Sequence, residues 1–170
     1  MGYLFLVVGP SGAGKDTLID YVTGKLPVIK VKRYITRLPN AFEDFISVSV
    51  SDFNKMDFFL KWGSYDKQYG ISAEVLSGLK SGRHFIINVS RDVISEAKSK
   101  WAKTFVISLS VPKEVLVKRA LERGRDSPEE IKKRLDRDFT VSADFTVDSS
   151  NPDASVAGDK IVSFIKKLIS

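Results

Sequence analysis

Tyr3-Leu-Phe-Leu-Val-Val8 runs directly into Gly9-Pro-Ser-Gly-Ala-Gly-Lys15, followed by a segment with Leu18, Ile19, Val22 and Leu26 on one helical face before Pro27 stops it. An apolar run without polar alternation is the pattern of a strand covered on both faces in a parallel sheet. The reading is strand, glycine-rich loop, helix. Gly9, Pro10, Ser11, Gly12, Ala13, Gly14 and Lys15 fit the frame G-x-x-x-x-G-K of a phosphate-binding loop. Phosphate oxygens must approach the main chain closely, so glycines stand where a Cβ would collide or a positive φ is needed. Successive N–H groups then converge on an anion at the start of the following helix. Lys15 adds a mobile positive charge for the β- and γ-phosphates, where negative charge builds during transfer. The frame alone recurs by chance in unrelated chains; its place between a buried strand and an amphipathic helix gives it meaning.

One position departs from the frame. The residue after the lysine, where a Ser or Thr hydroxyl would ligate Mg²⁺, is Asp16, followed by Thr17. A carboxylate is a hard oxygen ligand and can take Mg²⁺ directly or through water, so Asp16 is expected in the metal's shell. The alternative is that Asp16 only complements the helix start and Thr17 meets the metal.

Further along, His84-Phe-Ile-Ile-Asn-Val89 and Thr104-Phe-Val-Ile-Ser-Leu-Ser-Val111 read as more buried strands, with Val93, Ile94 and Ala97 marking a short helix between them. A helix follows Pro112, with Val115, Leu116 and Leu121, and ends at Gly124. Ser127-Pro-Glu-Glu130 starts another with a capping box. Phe145-Thr-Val147 is a short last strand, and Ile161, Ile165, Leu168 and Ile169 line a C-terminal helix. Strands alternating with helices predict an α/β layered fold around a mostly parallel sheet. The stretch from about Lys32 to Gly82 reads differently. Ile46-Ser-Val-Ser-Val50 alternates, as a strand with one wet face does, and Arg33–Arg37 and Phe58–Trp62 are expected to pair with it. Ser72 is expected to cap a helix running through Leu79. This region reads as a small mixed insertion with basic and aromatic side chains facing a cleft.

A chain of 170 residues, 43% hydrophobic, can bury one good-sized core, and disorder is excluded. Without cysteine there is no disulfide, thiolate zinc site or cysteine nucleophile, and the one histidine, His84, leaves no multi-histidine metal site. No apolar run approaches the roughly 20 residues a membrane span needs. Tyr3–Val8 is too short for the core of a secretory leader, and no small-residue cleavage site follows it, so a cytoplasmic location is expected. The net charge of +6 is gathered in two places, Lys30 to Arg37 and Lys113 to Arg137, the second with acids mixed in. Such clusters suit nucleic acid or a small ligand with several phosphates, or are simply solvated helix faces.

With the loop in place, Gly9-Pro-Ser-Gly-Ala-Gly-Lys15, Ile35-Thr-Arg37, Tyr69-Gly70 and Arg119-Ala-Leu-Glu-Arg-Gly124 resemble the guanylate kinase superfamily in order and spacing. Within it, the aspartate after the loop lysine, Arg33-Tyr-Ile-Thr-Arg37 and Asn88-Val-Ser-Arg91 resemble the ribose 1,5-bisphosphate phosphokinases of phosphonate catabolism. The resemblance covers nearly the whole chain. It implies a three-layer P-loop kinase fold in a single domain over residues 1–170. Core segments are expected at 1–31, 83–117 and 141–170, an acceptor-binding region at 32–82 and a helical lid at 118–140. It also implies ATP as phosphoryl donor, Mg²⁺, and ribose 1,5-bisphosphate as acceptor, giving 5-phosphoribosyl 1-diphosphate.

The sequence departs from guanylate kinase where guanine would be read. The family's Phe-x-Glu-Trp, whose Glu accepts from guanine, is Phe59-Leu-Lys-Trp62, and Lys61 is a donor only. A second arginine after Thr36-Arg37 is replaced by Asn40, and an expected tyrosine by Phe45. Base-reading groups are lost while phosphate-reading ones stay, as for an acceptor without a base. The rivals are a guanylate or other nucleoside monophosphate kinase and, in another class, a non-catalytic guanylate-kinase-like module that recognises phosphorylated peptides. The latter tend to lose the loop lysine, which is present here.

By the same resemblance, the donor is held by Gly9 through Thr17 with Arg119 and Arg123. The metal is held by Asp16 or Thr17. The acceptor pocket is lined by Arg33, Tyr34, Arg37, Glu43, Tyr69, Asn88, Ser90, Arg91 and Arg134. Lys15, Asp16, Arg123 and Arg134 are the expected catalytic groups. The planar fork of Arg37 suits a phosphate. Glu43 is expected to hold ribose hydroxyls or to cap the turn near Asn40; Tyr69 either donates to phosphate or fills the core. Asn88, Ser90 and Arg91 follow a strand's carboxyl end, where such sheets bind ligands. Arg119 and Arg123, four apart, share a helix face, and Arg125 follows Gly124. Adenine is expected near Asp148–Asn151, and His84 is expected to be structural. The expected partner is a small phosphorylated sugar or nucleotide, without nucleic acid or membrane, for a monomer or homodimer.

Overall fold

The computed structural model describes residues 1–41, 43–64, 66–124, 127–135 and 141–170, with 134 and 135 placed only as part of their helix. The central sheet is built of β1 (Leu4–Val8), β2 (Val28–Val31), β7 (His84–Asn88), β8 (Thr104–Ser110) and β9 (Phe145–Asp148). Its order is β2-β7-β1-β8-β9, and every pair in it is parallel. β1 lies in the middle, and all its residues are buried. Its side chains divide by parity. Phe5 and Val7 face a cluster with Leu18, Ile19 and Val22 of α1 (Lys15–Thr23) and Ile161 and Ile165 of α7 (Ala154–Ile169). Leu4, Leu6 and Val8 face the other cluster. That one holds Val75 and Leu79 of α3 (Glu74–Lys80), Ala97 of α4 (Ile94–Lys100) and Trp101. A sheet with helices on both faces is the three-layer arrangement that the alternating pattern predicts. Each large apolar side chain fully buried this way contributes about 1.5–3 kcal/mol relative to exposure.

The second sheet is smaller and mixed. It contains β3 (Arg33–Ile35), β4 (Phe45–Ser47), β5 (Phe58–Ser64) and β6 (Lys67–Ser72) in the order β4-β3-β6-β5. β3 and β4 run parallel, whereas β6 is antiparallel to both β3 and β5. Phe59, Leu60 and Ile71 send it into the same core cluster as Leu4 and Leu6.

Several local expectations change here. Ile46–Val50 is not one strand: β4 ends at Ser47, and Ser49 caps α2 (Val50–Asn54) by accepting from the Asp52 amide at 3.0 Å. The alternation of Ser and Val fits a strand, but a serine three residues ahead of an acid is also a helix start, and the cap prevails. Phe58–Trp62 pairs with β6, not with the 46–50 segment, since the short Asp66 turn brings β5 and β6 together as a hairpin. Ser72 accepts from the Glu74 amide at 3.2 Å, just ahead of α3. After β8, α5 (Lys113–Arg123) ends on Gly124 at φ 65°, and Ser127 accepts from the Glu130 amide at 3.3 Å at the start of α6 (Pro128–Leu135).

The register brings the functional loops to one end. Val7 pairs with Asn88, Val8 with Ser108, and Ser110 with Asp148, so the carboxyl ends of β1, β7 and β9 converge. α1, which carries the glycine loop at its start, is seated against α7 at Gly158. A Cβ there would stand 2.4 Å from the Tyr21 ring. Gly158→Val should therefore push α7 from α1 and lower stability by about 1–3 kcal/mol. A urea unfolding midpoint equal to that of the parent chain would contradict this close approach.

Candidate functional site

Gly9 to Gly14 leave the end of β1 and turn into α1. Gly12 and Gly14 both sit at φ 88°, the left-handed region that a side chain strains. Gly14 is also the residue before the helix, with no side-chain cap on the free amides. Those amides are the unpaired donors that an anion satisfies. The Ala13 amide closes a turn on the Pro10 carbonyl at 3.1 Å. Lys15 folds back over the loop, its Nζ donating to the carbonyls of Gly9 at 2.7 Å and Pro10 at 3.1 Å. Burial pushes its pKa down to about 8, and the charge of Arg33 adds to this, with Arg123 contributing less; Asp16 and Glu43 pull the other way.

On one side of the loop, the Asp16 carboxylate accepts from Asn88 Nδ2 at 3.2 Å. Asn88 is buried at the end of β7, so it orients Asp16 and leaves most of the carboxylate's acceptor sites available. Thr17, one residue on, lines a different space. This is a cavity of about 360 Å³ walled by Gly12 to Gly14, Arg119, Arg123, Ser149, Asn151 and Pro152, among others. Of the segment expected near adenine, 148–151, Ser149 and Asn151 line that cavity together with the glycine loop. A carboxylate and a hydroxyl at neighbouring positions are hard oxygen donors of the kind Mg²⁺ takes, with its other positions left to phosphate and water. The residues fit that ion, with Asp16 toward β7 and Thr17 toward the cavity.

The small sheet supplies cations. Arg33 is buried, 3.4 Å from Glu43 Oε2, with its guanidinium 5.6 Å from the centre of the Tyr69 ring. Arg37 Nη2 donates to the same Glu43 oxygen at 2.6 Å and lies over the Phe45 ring at 4.8 Å. The Nε of Arg37 is buried and finds no hydrogen-bond partner among the described residues. Glu43 is therefore a shared counter-ion. The turn beside it is capped by the Asn40 side chain, which accepts from the Glu43 amide at 2.9 Å. Tyr69 stacks on Trp62, ring centres 5.4 Å apart at 6°.

Tyr34 is not brought to this group. Ile35 pairs with Tyr69 and Tyr34 with Gly70, so the strand's alternation turns Tyr34 to the opposite face, against Phe58. Lys61 stands opposite Gly70 and is exposed. Ser90 accepts from the Asp92 amide at 3.2 Å and so starts the turn Arg91–Val93, where Arg91 is half-buried. Arg123 lines the cavity from the last turn of α5. The guanidinium of Arg119 is spent on main-chain carbonyls: Gly12 at 2.9 Å, Ser149 at 2.7 Å and Ser150 at 3.1 Å. Arg125 and the side chain of Arg134 lie outside the described residues. His84 is remote and structural, its Nδ1 accepting from the Tyr3 amide at 2.9 Å.

The contacts of two groups escape sequence reasoning. Trp62 is visible only once β5 and β6 are known to pair. Ser149 is a buried serine whose Oγ donates to the Ala13 carbonyl at 2.7 Å, and no local pattern marks it.

No protein-family model matches the chain. Among solved structures, a guanylate kinase from Anaplasma phagocytophilum superposes with a TM-score of 0.71 at 15% identity, covering 98% of this chain and 86% of that one. A sugar kinase from Janibacter sp. HTCC2649 gives 0.63 at 16% identity, with 98% and 95% covered. These likenesses are of fold. Relatives in sequence are nearer. The ribose 1,5-bisphosphate phosphokinase PhnN of Rhodopseudomonas palustris is 36% identical over 154 residues, 86% of this chain and 79% of that protein. That of Acidiphilium cryptum is 36% identical over 162 residues, with 92% and 89% covered. That of Rhizobium etli is 34% identical over 181 aligned residues, with 99% and 92% covered. Identity at that level over 86 to 99% of the chain makes it a member of the ribose 1,5-bisphosphate phosphokinase family.

Proposed function

We propose that this protein transfers the γ-phosphoryl group of ATP to the 1-phosphate of ribose 1,5-bisphosphate, giving 5-phosphoribosyl 1-diphosphate and ADP. The observation that carries the reading is the pairing of two anion-ready surfaces. The glycine loop with Lys15 lies on one side, and Arg33, Arg37 and Tyr69 lie on the other with no base-reading acceptor at Lys61. The names of the relatives in sequence support the same acceptor.

The donor's polyphosphate would lie along the amides of the loop, with its nucleoside in the cavity beside Ser149 and Asn151. An ionised oxygen of the acceptor's 1-phosphate attacks the γ-phosphorus, and the bond to the β–γ bridging oxygen breaks with ADP leaving. That oxygen already carries the charge it needs, so no general base is required. Charge builds on the transferring group, where Lys15 can release its carbonyls and donate to it, and Arg123 is placed to add a second positive charge. Mg²⁺, held by Asp16 with Thr17 as the alternative donor, would neutralise charge on the β- and γ-phosphates. Arg37 offers to an acceptor phosphate a buried Nε that has no partner among the described residues, while Glu43 keeps the two arginine forks in place. Closure of the segment at 118–140 over the donor would exclude water as a competing acceptor. We propose that the protein works in the cytoplasm on a small phosphorylated sugar. Among the described residues, no helix is long and apolar enough to cross a membrane.

An ADP-release assay against ribose 1,5-bisphosphate, GMP, AMP and dGMP tests the reading. Turnover is expected with the sugar bisphosphate, and turnover of GMP alone would overturn it. Asp16→Asn keeps the shape and the bond to Asn88 but removes the charge; the Mg²⁺ concentration for half-maximal turnover should rise about tenfold or more. An unchanged magnesium titration would take Asp16 out of the metal's shell. Lys15 gives a third measurement. In the ligand-free protein its ammonium should titrate near pH 8, against 10.5 for an ordinary lysine, because it is buried beside Arg33. Between those values the unfolded chain holds a proton that the folded one has shed. This group's contribution to stability therefore rises as pH climbs through that window. Lysine side-chain NMR reads it directly, and a Lys15 resonance that titrates near 10.5 would contradict the burial argument.

A further inference from the structure

A glycine loop grips phosphate only if its N–H groups point inward, and nothing in a run of glycines enforces that. In a trans peptide the carbonyl of one residue and the N–H of the next point opposite ways, and no cis bond occurs among the described residues. Holding a carbonyl therefore fixes the direction of the following amide. Two side chains do this. Ser149 Oγ donates to the Ala13 carbonyl at 2.7 Å, and the same peptide carries the Gly14 N–H at the start of α1. Arg119 Nη1 donates to the Gly12 carbonyl at 2.9 Å, and that peptide carries the Ala13 N–H, which closes the turn on Pro10. The other nitrogen of the same fork holds the carbonyls of Ser149 and Ser150 at 2.7 and 3.1 Å.

We propose that Ser149 and Arg119 are positioning residues for the phosphoryl donor, Ser149 by aiming the Gly14 amide and Arg119 by fixing the turn that Ala13 closes on Pro10, and that they tie the loop to the chain at Ser149, which walls the nucleoside cavity. This rests on the reading of the loop as the seat of the donor's polyphosphate. Neither group needs to touch phosphate. The Ser149 hydroxyl is turned to a carbonyl in a buried position, and Arg119 has two nitrogens committed to three carbonyls. A planar fork can bridge two segments in this way, whereas an ammonium cannot reproduce the span.

The test uses Mg²⁺-tripolyphosphate, which has no base to reach the cavity, with binding followed by calorimetry on the parent chain and on Ser149→Ala, Arg119→Lys and Arg119→Met. The parent should bind. Ser149→Ala should weaken binding about tenfold, the scale for losing one hydrogen bond that leaves a buried carbonyl unmet. Arg119→Lys and Arg119→Met should weaken it alike, because the fork matters and the charge does not. The Gly14 amide resonance should move in Ser149→Ala while those of β7 stay, which a loss confined to overall stability would not produce. Wild-type affinity in Ser149→Ala would overturn the proposal, as would affinity that follows only the fraction unfolded, or retention in Arg119→Lys with loss in Arg119→Met. Failure of the parent chain to bind tripolyphosphate would instead remove the donor reading, and this inference with it.

Discussion

An ammonium group packed against its own loop's carbonyls, at the end of a strand buried on both faces, is a costly arrangement that an anion relieves. Lys15 holds Gly9 and Pro10, yet burial and the charge of Arg33 still weaken its grip on its proton. The free amides at the start of α1 have the same need, since no side chain among the described residues caps them. β1 must be central for this to work, because only a strand with neighbours on both sides carries its loop between two others. β7 then brings Asn88 to Asp16 on one flank, and β9 brings Ser149 to Ala13 on the other.

The small sheet solves a related electrostatic problem. Arg33 and Arg37 would repel each other and Lys15 if nothing lay between them. A single carboxylate, Glu43, serves both guanidiniums, and the aromatic faces of Tyr69 and Phe45 take up the rest of their surroundings. The carboxylate of Asp44, next in the chain, goes the other way and holds Lys30 and Lys32, at 3.0 and 3.3 Å. Two neighbouring acids thus sort four cations into an inner pair and an outer pair. Of the outer pair Lys32 is exposed, whereas Lys30 is held largely out of solvent between Asp20 and Asp44; the inner pair is the one proposed to meet the acceptor.

How much of this the sequence discloses depends on the range of the interaction that decides each element. β1, the glycine loop and α1 are legible because an apolar run, a φ requirement and a 3.6-residue period are all local. The same holds for α5 ending at Gly124 and for α7. β2 and β6 escape because they carry lysine or glycine where a strand pattern wants apolar groups; the sheet partner supplies what the sequence lacks. Ile46–Val50 misleads because Ser and Val alternate in a way that fits both a wet strand and a capped helix start, and only the Ser49 bond to Asp52 separates them. In the site, Lys15, Arg37 and Asp16 are readable from motif and residue type. Tyr34, grouped with Arg33 and Arg37 by resemblance, lies on the other face of its strand, because one position of register decides which face a side chain takes. Ser149 is invisible because its meaning lies in a carbonyl 136 positions away.

That last separation bears on how the donor is recognised. Nucleoside and polyphosphate would occupy spaces lined by different segments, 149–152 and 9–17, which meet through buried hydrogen bonds and not through the ligand alone. Their relative position is set before the donor arrives, so binding need not order one against the other, and less of the binding energy goes to conformational entropy. The acceptor side is built the other way. Arg33 and Arg37 come from a sheet that joins the core through Phe59, Leu60 and Ile71, and they are held by one another's counter-ion, not by the glycine loop. On the proposed reading, a donor seat beside an acceptor seat anchored on separate strands would let the acceptor's chemistry change, as at Lys61 and Asn40, without disturbing the phosphate grip. One fold can then serve kinases whose acceptors share only an ionised phosphate.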